Sequence, residues 1–128
     1  LFLFAHAPLL SAQAYAEEQG GPYPGHFTDG AAFLNQLAAR CTPRKPFVFN
    51  GHLHFHHIQS HPSYAQCATA SLIEYPMDYR RVTVTPTRMI IETLPAVPPE
   101  LSKQSLCSPT SAWVAGRPQD RRHEEILA

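Results

Sequence analysis

The chain has 128 residues, and ten Lys and Arg balance ten Asp and Glu, so its formal charge is zero with histidine neutral. That size suits one domain, and the balance gives no nucleic-acid-binding or membrane-surface signature. Cys41, Cys67 and Cys107 are far apart and form no CxxC pair. This argues against a zinc-thiolate finger or a disulfide framework and reads as ordinary thiols of a reducing, cytoplasmic compartment.

The opening LFLFAHAPLLSAQAYA has an apolar run followed by small residues, but no initiating Met and no basic segment, which argues against a secretory signal. The run is also too short to span a membrane. Leu1 to Ala5 shows no alternation, which predicts a strand buried on both faces, as in a parallel sheet. A chain that opens on such a strand reads as the back part of a longer protein. Residues 11–30, rich in Gly, Pro, Ser and Gln, predict a long loop. TDGAAFLNQLAAR follows, a helix capped by Thr28 or Asp29, with Phe33, Leu34, Leu37 and Ala38 at helical spacing. Arg40 suits its last turn and Pro43 stops it. PFVFN at 46–50 predicts a second short buried strand. Strand, helix and strand make one βαβ unit, whose strands should be parallel neighbours.

Further on, ATASLIEYP, YRRVTVTP and RMIIETL predict three strands, the last two a hairpin turning near Pro86 and Thr87. From Ala96 the chain is rich in Pro, Ser and charge, so 1–95 is read as the domain and 96–128 as a poorly ordered tail. A short helix over QDRRHEEILA is an option there, and Trp113 is the tail's candidate for docking on the domain.

Five histidines fall within ten positions of FVFNGHLHFHHIQSHP: His52, His54, His56, His57 and His61. His6 follows the first strand and His52 and His54 follow the second. Parallel neighbours would bring all three to one carboxyl edge, where open α/β sheets place their sites. In an extended segment His52 and His54 point the same way, and Gly51 permits a bend beside them. Imidazole suits zinc, iron, manganese or nickel. His56, His57 and His61 are read as rim or surface residues, and His123 as solvated. Tyr15, Tyr23 and His26 in the long loop are candidates for shaping a site.

An apolar strand ending in HAPL, a helix, and then FVFNGHLH resembles the C-terminal portion of the calcineurin-like metallophosphoesterases. ASLIEYPMDYRRVTVTPTRMIIET is similar to that family's closing strands, so the resemblance covers about residues 1–94. It implies a partial two-sheet α/β sandwich flanked by helices. It also implies that His6 and His52 ligate one metal ion and His54 a second. The implied activity is binuclear, metal-dependent hydrolysis of phosphomonoesters or phosphodiesters. Two divalent ions (Zn, Fe, Mn or Ni) would clamp the phosphoester substrate during in-line displacement.

The family's earlier motifs, D-x-H, G-D-x-x-D and G-N-H-[DE], are not found, and Asp29, Asp78 and Asp120 are the only aspartates. By the resemblance, those motifs would lie in a missing N-terminal half of the same domain, and this chain alone would be inactive. The rival reading is a non-catalytic histidine-rich metal-binding or interaction module.

Overall fold

Short apolar stretches between polar and glycine-rich segments become the strands of two sheets. The computed structural model describes residues 1–106 and 108–127. The first sheet holds β1 (Phe2–Ala5), β2 (Phe47–Asn50), β3 (His57–His61) and β4 (Tyr64–Ala68), in the order β1-β2-β4-β3. β1, β2 and β4 run parallel, and β3 returns antiparallel along β4. The second sheet is antiparallel and orders β5 (Asp78–Val84), β6 (Arg88–Pro95) and β7 (Arg122–Ile126) side by side. The class is mixed α/β with two sheets and helices, and it contains the expected βαβ unit and the hairpin across 85–87. Among the described residues no helix is long and apolar enough to cross a membrane.

Alternation along the central strands decides what packs where. Val48 and Tyr64 face α2 (Gly30–Cys41), where they bury Leu34 and Ala38. Phe47, Ala65 and Cys67 face the other way and meet Met89 and Ile91 of β6. The core is thus a helix on one face of the first sheet and the second sheet on the other. α2 follows its apolar spacing, except that Phe33 is turned outward. Asp29 precedes it without a side-chain capping bond.

Outside the histidines, the fold departs from the sequence reading in four places. β1 is a sheet edge, and Phe4 is 79% exposed rather than buried on both faces. The loop 11–30 contains α1 (Gln13–Glu18), which buries Tyr15 and Ala16. The strand expected over ATASLIEYP lies earlier, as the hairpin β3–β4 turning at Pro62 and Ser63, and 69–77 is irregular apart from turns. The fully buried β4 contains Gln66, a polar residue that hid the strand from a hydrophobic pattern. Gln66 Oε1 accepts from the backbone N–H of Leu9 and Leu10 at 2.8 and 2.9 Å, which satisfies the side chain and fixes the loop after β1.

The fourth departure is the segment beyond Ala96. It forms α3 (Pro99–Gln104), a 3₁₀ turn (Pro109–Ala115), α4 (Pro118–Arg121) and β7. The option of a helix over QDRRHEEILA resolves into the short α4 followed by a strand. Trp113 does dock, with its ring centroid 5.0 Å from that of Phe55 and 5.9 Å from that of Tyr15. Cys41 and Cys67 are free thiols, and Cys107 lies outside the described residues.

Candidate functional site

The register of β1 against β2 sets the site. Ala5 pairs with Asn50, so the chain leaves both strands at the same level. His6 is the next residue on one side, and Gly51 and His52 follow on the other. The two imidazoles meet edge to face with ring centroids 5.1 Å apart. Both rings therefore stand at the carboxyl edge of the parallel strands, where a ligand can approach them.

Residues 51–55 are not extended, contrary to the sequence reading. His52 and His54 both adopt left-handed backbone, with φ of 61° and 57°. Two such non-glycine residues in one turn store strain of order 1–3 kcal/mol each, a burden that concentrates at functional sites. The cause is visible in the neighbours. Leu53 and Phe55 are 4% and 1% exposed, both anchored in the cluster around Tyr15 and Ala68. The backbone between these two anchors must turn His54 outward. Its side chain is 63% exposed, and Nδ1 contacts Glu74 Oε1. The three expected metal ligands are thus divided: His6 and His52 come together, and His54 stands apart with Glu74.

A groove of about 720 Å³ opens beside His6, between the two sheets, with Phe4, Phe49 and Tyr79 on its walls. Asn50 lies at its base, 5% exposed, and its Oδ1 has no hydrogen-bond partner among the described residues. Asn50 Nδ2 is engaged, donating to Gly51 O at 3.0 Å.

Of the histidines read as rim or surface residues, His56 and His57 are instead buried. His56 is fully buried, and its Nδ1 accepts from Ala70 N at 3.3 Å. Nε2 therefore carries the proton, 3.5 Å from Asp78 Oδ2 but without hydrogen-bond geometry. Burial, reinforced by the positive Arg80 and Arg121, pushes the His56 pKa down to about 3, so the ring is neutral. His57 is also buried and hydrogen bonds to Asp120, with Tyr15 stacked on it at 4.3 Å. His61 is exposed and stacks on Tyr64 at 4.4 Å, and exposed His26 lies 5.9 Å from Tyr23. His123 sits in β7 with its side chain 17% exposed and paired to Glu125, rather than solvated.

Sequence reasoning missed Asp120, which holds the segment after the histidine turn. It is fully buried and accepts from Ile58 N at 2.9 Å, Arg117 N at 3.1 Å and Arg117 Nε at 3.0 Å, besides His57. Burial alone would raise its pKa, but the hydrogen bonds from His57, Ile58 and Arg117 win and hold it well below the usual carboxylate range. Arg80 adds a clamp from the second sheet, donating to Asp120 O at 2.6 Å, to Ala68 O at 3.0 Å and to Thr93 Oγ1. The available signal was one aspartate three residues after Arg117 in a stretch otherwise read as a poorly ordered tail.

Comparison with family models, with curated proteins and with solved structures finds no match to this chain.

Proposed function

We propose that the chain is the C-terminal portion of a binuclear metal-dependent phosphoesterase acting on phosphomonoesters or phosphodiesters. The observation that carries this reading is the contact of His6 with His52, delivered by the parallel register of β1 and β2. Imidazole donors fit a borderline divalent ion such as zinc, iron, manganese or nickel, whereas calcium or magnesium prefers oxygen. His6 and His52 would hold one ion, and His54 would belong to a second. Such ions would supply charge to polarise and orient a phosphoester.

This chain's own contribution is placement. The β-sheet sets His6 against His52, and buried Leu53 and Phe55 fix the turn that carries His54. Among the described residues no three or more His, Cys, Asp or Glu side chains gather as an ion-holding group. In this reading the bridging carboxylates come from an N-terminal half of the same domain. The exposed β1 edge, with Phe2 42% and Phe4 79% exposed, is consistent with such a neighbour.

The test is hydrolysis of bis(p-nitrophenyl) phosphate by the complete gene product, with metal content measured by elemental analysis. His52→Ala should lose bound metal and lower kcat/KM at least as much as the roughly 10–100-fold typical of outer-shell changes. Unchanged turnover and metal content in that variant would overturn the reading.

A further inference from the structure

We propose that the groove beside His6 is a binding site for a flat, uncharged aromatic group. In the function proposed above this group is the ester moiety of the substrate, and only that identification rests on that reading.

The groove arises where the packing of the two sheets runs out. Met89 and Ile91 of β6 are buried against Phe47, Ala65 and Cys67 of the first sheet. One strand further out, Val82 of β5 pairs with Ile91 yet is exposed. β1 is likewise the outer strand of its own sheet. The closed interior thus stops short of both outer strands and leaves about 720 Å³ between them. That volume lies within the roughly 300–1,000 Å³ of small-molecule sites.

The lining sets the chemistry. Phe4 and Phe49 are register partners on β1 and β2, and their rings stack with centroids 5.5 Å apart and planes 22° from parallel. Phe4 is 79% exposed, so a further ring can extend the stack. Offset stacking favours an aromatic guest over an aliphatic one of equal area. Leu72, Tyr79 and Val82 add apolar surface.

Two charged residues belong to the lining, and both are engaged elsewhere. Asp78 Oδ2 accepts from Arg121 Nη1 at 2.8 Å. Arg80 donates to Thr93 Oγ1, Asp120 O and Ala68 O. Between Phe4 and Val82 the groove therefore offers a charged ring no partner in place of its water, and burying an unpaired charge is costly. An uncharged ring escapes that penalty. His6 also lines the groove and meets His52, so a ring held here carries its substituent towards the two imidazoles.

The experiment uses the chain as it is, free of metal, at a concentration where light scattering finds monomer. The probe is 2-naphthol, and its saturated analogue decahydro-2-naphthol is the control of similar size without aromaticity. In ¹H–¹⁵N correlation spectra, 2-naphthol should shift the amides of Phe4, Phe49 and Tyr79 saturably. The saturated analogue should bind roughly 2–10-fold more weakly. Phe4→Leu keeps an apolar side chain and removes the ring, so the preference for 2-naphthol should shrink towards parity. Val82→Trp fills the groove from an exposed position and should abolish binding while leaving the remaining amide spectrum folded. No saturable shift with 2-naphthol overturns the proposal, as does equal affinity for the two probes or binding undiminished in Val82→Trp. If binding responds as stated but the complete gene product cleaves no phosphoester, the groove assignment stands and the phosphoesterase reading fails.

Discussion

Asp120 Oδ1 lies 3.0 Å from His57 Nδ1, joining two buried side chains 63 positions apart. This contact ties the C-terminal segment to the first residue of β3, directly after the turn bearing His52 and His54. Removing the carboxylate leaves His57, Ile58 N and Arg117 without their acceptor. Breaking one partner of a buried pair costs about 3–5 kcal/mol. Asp120→Ala should therefore lower the urea midpoint by a corresponding amount, and Asp120→Asn, which keeps the shape and one oxygen, by less. A loss under about 1 kcal/mol in Asp120→Ala would show that the segment is not anchored there.

His56 sets the acid response. Its folded pKa of about 3 is depressed, and the ring faces Arg80, Arg121 and Asp78. The unfolded chain takes up the proton near pH 6.5, while the folded chain refuses it. Stability is complete above that value and falls as pH drops towards 3, by about 2 kcal/mol between pH 7 and pH 5. Asp120, held below the usual range, contributes above the ordinary aspartate value of about 3.9 and adds loss only below it. Denaturation midpoints between pH 7 and pH 4 should show this slope, and His56→Gln should flatten it.

Trp113 is the single tryptophan and reports its own docking. A Cβ added at Gly21 would lie 2.0 Å from Trp113 Cζ2, so the rigid indole must move. Gly21→Ala should red-shift the fluorescence emission and destabilise the fold by about 1–3 kcal/mol. An unshifted spectrum would mean that the indole does not rest on Gly21.

The edge of β1 predicts self-association. Phe4 is 79% exposed and stacks on Phe49 at 5.5 Å, along a strand that pairs on one side only. Native edges are protected by charge or cover. The chain should form concentration-dependent oligomers by light scattering, and Phe4→Lys should shift it towards monomer. A wild-type chain monodisperse as a monomer over the same concentrations would contradict this.

The βαβ unit, the hairpin β5–β6 and the meeting of His6 with His52 were legible because each follows from local periodicity plus one parallel register. β4 was not, because Gln66 breaks its apolar run and is satisfied only by Leu9 and Leu10, far back in the chain. The burial of His56 and His57 was equally hidden. Nothing in HFHH distinguishes a ligand from a core residue until Asp120, Asp78 and Ala70 are seen around it. The outward turn of His54 was missed because extended geometry was assumed where Leu53 and Phe55 impose a left-handed one. In each case the deciding partner is distant in sequence, and pattern reading carries no such term.

β7 completes the second sheet by pairing Arg122–Ile126 with β6, and α4 brings Asp120 to β3 just before it. A chain made from its N-terminus therefore makes these fasteners only after β1 to β6. Until residues 120–126 are made, His57 has no carboxylate and β6 has an open side. Over that interval the chain exposes an unpaired strand edge, the feature that makes partly folded species prone to aggregate. Closure of the second sheet and of the segment behind the histidine turn thus waits for residues 120–126.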